Sequence, residues 1–235
     1  MQDTRAEQIY RSLRERIIGG ELEAGSQLVT RSLAQDLGSS LAPIREALHR
    51  LAVEGIVEHV PGAGAFVRTI SRDDLNELYV LRVAIEACAA EEAARQVRDD
   101  ELEELEEICQ AEEELVSQIK KGDSGSLTSA LQEKWVTLEE RFHTILVDAA
   151  RNKLLKKVIA DHRAQARIFD VQRQLLKSLT ADDAGRVISE HRGLVQALNE
   201  RNSTLAHQLM VEHIQSGRKD VLSKLRQSST SSLQQ

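Results

Sequence analysis

Aromatic residues, prolines and cysteines are all scarce in this chain of 235 residues. Phe, Trp and Tyr together make up 3% of the sequence, and there are two prolines and two cysteines. So few prolines in a chain rich in Leu, Ala, Glu and Arg favour a mainly helical protein. The cysteines, Cys88 and Cys109, stand in separate segments. This excludes a disulfide-rich secreted scaffold and predicts reduced, packed thiols.

Long hydrophobic runs and a signal peptide are also missing. No apolar run reaches the ~18 residues that a membrane-spanning helix needs, and the first residues lack the pattern of a secretory signal. We therefore expect a cytoplasmic protein of one or two domains, long enough to bury hydrophobic cores.

The charge balance does not exclude nucleic acid as a partner. The net charge is −7, but residues 1–70 contain eight arginines against nine acidic residues, so most of the acidic excess lies further along the chain. DNA binding requires only a local basic face. A nearly neutral DNA-binding domain predicts modest non-specific affinity and hence reliance on dimerisation.

The most informative stretch runs from Leu33 to Val67. Apolar residues recur at helical spacing on both sides of Gly38, which permits a tight turn. One of the two serines that follow can cap the next helix, and Pro43 falls in that helix's first turn, where it is tolerated. Two short β-patterned segments then flank the turn residues at 61–64. The pattern predicts a helix-turn-helix, whose second helix enters the DNA major groove, and a hairpin wing.

The rest of the chain predicts a helical domain. From Leu75 to the Ser/Gln-rich end each segment has helical periodicity, and we find no strand pattern. The predicted helices cover 72–97, 99–121, 126–150, 152–178, 181–201 and 202–225. Together they indicate an antiparallel all-α bundle, and the Ser/Gln-rich end indicates a disordered tail. The expected fold is mainly α, with a winged helix-turn-helix over 1–70, the helical domain over 71–226 and the tail over 227–235.

Three histidines and one glutamate in the helical half are candidate metal ligands. Glu139 and His143 are four residues apart, so both side chains leave the same face of one helix. His191 and His213 lie in two later helices. Imidazoles and a carboxylate that converge inside a bundle would bind a divalent transition ion. Spacing alone leaves convergence open, because a single such histidine is more often a satisfied polar residue than a ligand.

The first 70 residues resemble the winged-helix domain of the GntR family. The resemblance covers about residues 5–70 and includes the run Pro43-Ile44-Arg45-Glu46-Ala47-Leu48. It implies DNA contacts by Arg31 and Arg45. The full predicted DNA-contacting set is Arg31, Ser40, Arg45, His49 and Gly64. The family usually has an arginine where this chain has Leu41, and often a basic residue where it has Ala63, so affinity or site preference is expected to differ.

Residues 75–215 resemble the FCD ligand-sensing domain of the FadR-type branch of that family. The resemblance is carried by Leu78-Tyr79-Val80-Leu81-Arg82, Arg141-Phe142-His143, Asn152-Lys153-Leu154-Leu155, His191 and Met210-Val211-Glu212-His213-Ile214. In metal-binding members of the branch, an aspartate four residues before the Phe-His histidine and two later histidines hold one ion.

These family positions correspond to Glu139, His143, His191 and His213, with glutamate in place of aspartate. The resemblance implies a divalent ion, zinc or nickel, with manganese as a third possibility. It also implies that Arg82 contacts a carboxylate effector. The alternative for Arg82 is a salt bridge to Glu86, one helical turn later.

We therefore predict a cytoplasmic, homodimeric transcriptional regulator, a repressor, that binds operator DNA and responds to a small organic acid bound beside the metal. One alternative is the same regulator with a metal-free pocket for an acyl-type ligand. Another is a metal-dependent hydrolase that uses the His/Glu cluster to activate water. The hydrolase would lack a recognisable general base and would leave the winged helix without a role, so we predict no enzymatic activity.

Overall fold

The computed structural model describes residues 4–69, 71–121, 129–168 and 180–231. Within these ranges, side chains are described except at 119–121, 129, 162–168 and 224–231. This part of the chain forms nine helices and one two-stranded sheet. It divides into two compact units, the first made of the described residues up to Ser71 together with 163–168, and the second of the other described residues from Arg72 onward.

The first unit is a small helical domain with a hairpin. Its elements are α1 (Arg5–Ile18), α2 (Thr30–Asp36), α3 (Leu41–Val53), β1 (Val57–Val60) and β2 (Gly64–Val67). Its core includes Leu13, Ile44 and Leu51, which have no solvent exposure. Gly38 adopts a φ of 55° between α2 and α3, a conformation that glycine tolerates best. The predicted helix-turn-helix and wing are confirmed.

The wing is held by more than its own two strands. β1 and β2 pair antiparallel, with Val57 opposite Val67 and Val60 opposite Gly64. Gln27 also pairs with Phe66 of β2, and its side-chain amide donates a 2.6 Å hydrogen bond to the Ala63 carbonyl at the wing tip. Sequence reasoning missed this third segment, because a single bridging residue leaves no alternating pattern.

The second unit is an all-helical bundle in the described residues. Its elements are α4 (Arg72–Gln96), α5 (Asp99–Lys121), α6 (Ser129–Ala149), α7 (Lys153–Ile168), α8 (Ala181–Asn199) and α9 (Ser203–Ser231). Helix α4 packs on α9 and α6, and α5 packs on α8 and α6. Phe142, Leu105 and Leu194 are completely buried at these contacts. None of the helices in the described ranges has the length and apolar character required to cross a membrane.

Two details differ from the sequence-based expectations. Helix α9 continues to Ser231, into the segment 227–235 that we expected to be a tail, while residues 232–235 lie outside the described ranges. Cys109 is buried as expected, but Cys88 is exposed. The expectation of packing was wrong for Cys88 because α4 directs Ala87 and Ala90 into the core instead.

Candidate metal centre and DNA-binding surface

The three candidate histidines converge although they come from three helices. His143 is on α6, His191 on α8 and His213 on α9, and all three side chains are buried. One potential ligand atom from each lies within 4.8 Å of the other two. The Nε2 atoms of His143 and His213 are 3.3 Å apart. The convergence that spacing left open is therefore present in the fold.

Glu139 faces the same side of this cluster. Its Oε2 lies 3.6 Å from Nε2 of His143, and its Oε1 lies 3.9 Å from Nε2 of His191. Burial alone would raise the pKa of the Glu139 carboxyl, but the three histidines hold that pKa well below its usual range. Glu139 therefore adds a fourth possible ligand to the three histidines.

Each histidine also faces a second carboxylate with its other ring nitrogen, Nδ1. The distances from Nδ1 to the carboxylate oxygen are 3.0 Å for His191–Glu112, 2.7 Å for His213–Glu190 and 3.7 Å for His143–Glu86. Metal-binding histidines commonly donate their second N–H to a carboxylate, which fixes the tautomer and the ring orientation. Sequence reasoning missed all three of these glutamates, because no spacing rule links them to their histidines.

One buried nitrogen at the centre of the cluster indicates that these residues fit a metal ion. Nε2 of His191 has no hydrogen-bond partner among the described residues. Leaving a buried polar atom unsatisfied costs ~1–3 kcal/mol, and a cation at this position would remove that cost. Three imidazole nitrogens and one carboxylate oxygen suit zinc and other divalent first-row ions. The residues present fit such an ion, and their role as ligands stays a prediction.

Arg82 lies in an ion pair beside this centre. Its Nε donates a 2.8 Å hydrogen bond to Oε1 of Glu86, whose side chain is 1% exposed. The guanidinium carbon is also 5.0 Å from the centre of the Tyr79 ring. Burial alone would lower the pKa of Arg82, but the charge of Glu86 raises it above its ordinary value. The salt bridge predicted as the alternative is present, and effector contact by Arg82 stays a prediction.

The five predicted DNA-contacting residues all lie on the surface of the first unit. They are Arg31 on α2, Ser40, Arg45 and His49 at or on α3, and Gly64 in the wing. Within the described part of the chain, the side chains of Arg31 and Arg45 form no hydrogen bond or ion pair. Leu41 and Ala63 are also exposed. These are the two positions where the family usually has a basic residue.

The turn before α3 has the features of a phosphate-binding position. Ser40 is the N-cap residue of α3, but its side chain makes no capping hydrogen bond. An open groove beside it is lined by Arg31, Gln35 and Ser39, among other residues. Free N–H groups at a helix N-terminus, next to an arginine, favour a bound phosphate.

Arg50, although it lies on α3, has a different environment. Its Nη1 donates a 2.6 Å hydrogen bond to Glu7 of α1, and its guanidinium lies 4.0 Å from the centre of the Tyr10 ring. The Tyr10 hydroxyl in turn donates a 2.7 Å hydrogen bond to Glu54. Arg50 therefore ties α3 to α1.

Comparisons with known proteins agree with this division of the chain. Residues 5–67 match the family described as bacterial regulatory proteins, gntR family, and residues 77–216 match the FCD domain. The chain is 25% identical over 206 residues to the HTH-type transcriptional regulator YdhC of Bacillus subtilis, covering 88% of this chain and 86% of that protein. It is 23% identical over 209 residues to the HTH-type transcriptional repressor RspR of Escherichia coli, covering 89% and 85%.

A solved structure shows the same fold. The structure titled E. coli McbR/YncC superposes with a TM-score of 0.70 at 21% sequence identity, over 95% of this chain and all of that one.

Proposed function

Because this chain belongs to the gntR family of bacterial regulatory proteins and carries an FCD domain, we propose that a divalent metal ion and a small carboxylate effector in its helical unit control its binding to operator DNA. Its family makes it a DNA-binding regulator of transcription and not an enzyme. Our proposal adds its membership of the FadR-type branch, its action as a repressor, the ion and the effector.

One observation supports the metal most strongly. His143, His191 and His213 are buried side chains from three helices, and one ring nitrogen of each lies within 4.8 Å of the other two. The carboxylate of Glu139 lies 3.6 Å from His143 and 3.9 Å from His191. The four residues would hold Zn²⁺ or Ni²⁺, with Mn²⁺ as the third possibility. The bound ion would supply a positive charge and open coordination positions for an anionic ligand.

Two features support a carboxylate as the effector. A cation inside a buried site favours a negatively charged ligand, and Arg82 places a guanidinium on α4, on the other side of Glu86 from His143. Arginine binds carboxylates through charge-assisted and often bidentate hydrogen bonds. We assign the contact with the effector carboxylate to Arg82.

The effect on DNA would pass through α4. This helix begins at Arg72, five residues after the last strand of the wing, and it contains both Arg82 and Glu86. In the proposed homodimer, two copies of α3 would occupy operator half-sites about 34 Å apart. The effector changes operator affinity only if it binds one arrangement of the helices more tightly than another.

Metal analysis of protein purified without a histidine tag or chelator tests whether the helical unit binds a divalent ion. We expect one divalent ion per chain in the wild type and a large loss of metal in His143→Ala and His213→Ala. A folded, operator-binding wild type that contains no metal and takes up none would overturn the metal proposal. Retained binding of an acyl ligand by that protein would favour the metal-free alternative.

Measurements of operator affinity test whether the effector controls DNA binding. Fluorescence anisotropy with an operator fragment obtained by in vitro selection would be measured across a panel of small organic acids. We expect at least one acid to change the affinity of the metal-loaded wild type. The same acid should have little effect on His143→Ala, and unchanged affinity across a wide panel would overturn the proposed coupling.

A further inference from the structure

We propose that Glu112 is a positioning residue of the metal centre, because its carboxylate holds the ring of His191 with Nε2 directed at the ion. This inference rests on the proposed metal centre. One carboxylate oxygen of Glu112 also lies within 4.8 Å of possible ligand atoms of Glu139 and His191, and the role we assign to Glu112 acts through the second nitrogen of His191.

The geometry around His191 leaves its ring little freedom. The ring stacks on Phe142 with 3.8 Å between ring centres and 10° between ring planes, so the plane of the imidazole is set by this contact. Two orientations remain, related by a 180° rotation of the ring about the Cβ–Cγ bond. Oε2 of Glu112 lies 3.0 Å from Nδ1, and this contact selects the orientation in which Nε2 faces Glu139.

The same contact decides which ring nitrogen carries the proton. A neutral imidazole has one N–H donor and one lone pair, and a metal ion requires the lone pair. Two carboxylates compete for the proton of His191, since Oε2 of Glu112 is 3.0 Å from Nδ1 and Oε1 of Glu139 is 3.9 Å from Nε2. When the ring is neutral, the shorter contact favours the proton on Nδ1 and leaves the lone pair on Nε2, where an ion can bind it.

The burial and the hydrogen bonding of Glu112 also favour a positioning role. Its side chain has no solvent exposure, and its other oxygen, Oε1, has no hydrogen-bond partner in the described part of the chain. Glu190, which contacts His213, differs because it also accepts a 2.8 Å hydrogen bond from Arg186 and is 22% exposed. The position of Glu190 therefore has a second support, whereas His191 is the one hydrogen-bond partner of the Glu112 side chain among the described residues.

Glu112→Gln separates this role from a general structural one. The change keeps the size of the side chain but removes the carboxylate that holds the proton on Nδ1. The matched control is Glu113→Gln, its neighbour on α5, which accepts a 2.9 Å hydrogen bond from Arg192 at the surface. A second variant, Glu112→Asp, retains a carboxylate and should restore part of the function if Glu112→Gln folds poorly.

Two measurements give the outcome. Long-range ¹⁵N NMR of the histidine rings in the zinc-free, full-length wild type should show the His191 proton on Nδ1, and Glu112→Gln should shift it towards Nε2. Competition with a chromophoric chelator should show zinc binding about 10–100-fold weaker in Glu112→Gln, an intermediate loss in Glu112→Asp and no change in Glu113→Gln.

The failures of the two proposals can be told apart. If the wild type binds zinc and Glu112→Gln binds it equally well, the positioning role is wrong and the metal centre stands. If the wild type binds no zinc, the metal centre is wrong. The NMR measurement needs no zinc, and a His191 proton on Nε2 in the wild type would by itself overturn the role of Glu112.

Discussion

Nδ1 of His191 lies 3.0 Å from Oε2 of Glu112, and neither side chain is exposed to solvent. The contact joins α8 to α5, and the pairs of His213 and His143 with their own glutamates extend the polar cluster to α9, α6 and α4. Five helices thus meet at one buried group of carboxylates and imidazoles. Because buried polar groups stabilise a fold only when they are satisfied, we expect an ion at this centre to stabilise the helical unit.

Metal removal should therefore lower thermal stability. At a metal concentration 100 times the Kd, binding contributes about 2.7 kcal/mol, which corresponds to roughly 5–10 °C in Tm for a domain of this size. Calorimetry with and without EDTA measures the difference, and His143→Ala serves as the control that should not respond. An unchanged wild-type Tm after verified metal removal would contradict the prediction.

Arg82→Ala should destabilise the protein strongly, because it removes the guanidinium that lies 2.8 Å from the buried carboxylate of Glu86. Breaking such a pair costs about 3 kcal/mol, which urea unfolding would measure. The control is Arg95→Ala on the same helix, whose pair with Glu91 is exposed and should contribute less than about 1 kcal/mol. An equally small loss of unfolding free energy in both variants would show that the pair of Arg82 with Glu86 does not stabilise the protein.

Two arginines of α3 should respond differently to truncation. Arg45→Ala removes an exposed side chain that faces no partner in the described part of the chain, and we expect operator binding to weaken by about 1–3 kcal/mol. Arg50→Ala instead breaks the contacts with Glu7 and Tyr10. It should lower Tm while operator affinity changes little.

Anisotropy titrations and thermal melts of both variants make this comparison. A larger loss of operator affinity in Arg50→Ala than in Arg45→Ala would reverse the assignment.

The helix-turn-helix could be predicted from the sequence because its signals are local. Helical periodicity, Gly38 and the position of Pro43 each act within a few residues, and the structure places α2, the turn and α3 accordingly. The shared face of Glu139 and His143 follows from their spacing on one helix. The ion pair of Arg82 with Glu86 was predictable as an alternative for the same reason.

The rest of the centre could not be predicted from the residues alone. His191 and His213 meet His143 only because α6, α8 and α9 pack together, so their convergence depends on the tertiary fold and was expected only through a family resemblance. Glu112 is one of 38 acidic residues and lies 79 positions from its partner His191. Local patterns contain no information about a contact of that range.

The two cysteines should differ in reactivity. Burial, with a smaller contribution from the charge of Glu112, raises the pKa of the Cys109 thiol to about 12, whereas Cys88 is exposed. At pH 8, Ellman's reagent should therefore modify one thiol per folded chain and two after unfolding in guanidinium chloride. Cys88→Ser should leave none reactive in the folded state, and a rapid reaction in that variant would show that Cys109 is accessible.

Anomalous diffraction from zinc-loaded crystals would show whether His143, His191, His213 and Glu139 hold one metal ion. We expect one strong peak at the zinc edge, about 2.0–2.2 Å from Nε2 of His143, His191 and His213 and from an oxygen of Glu139. No peak between the three imidazoles, in crystals of protein that was exposed to zinc, would contradict this expectation.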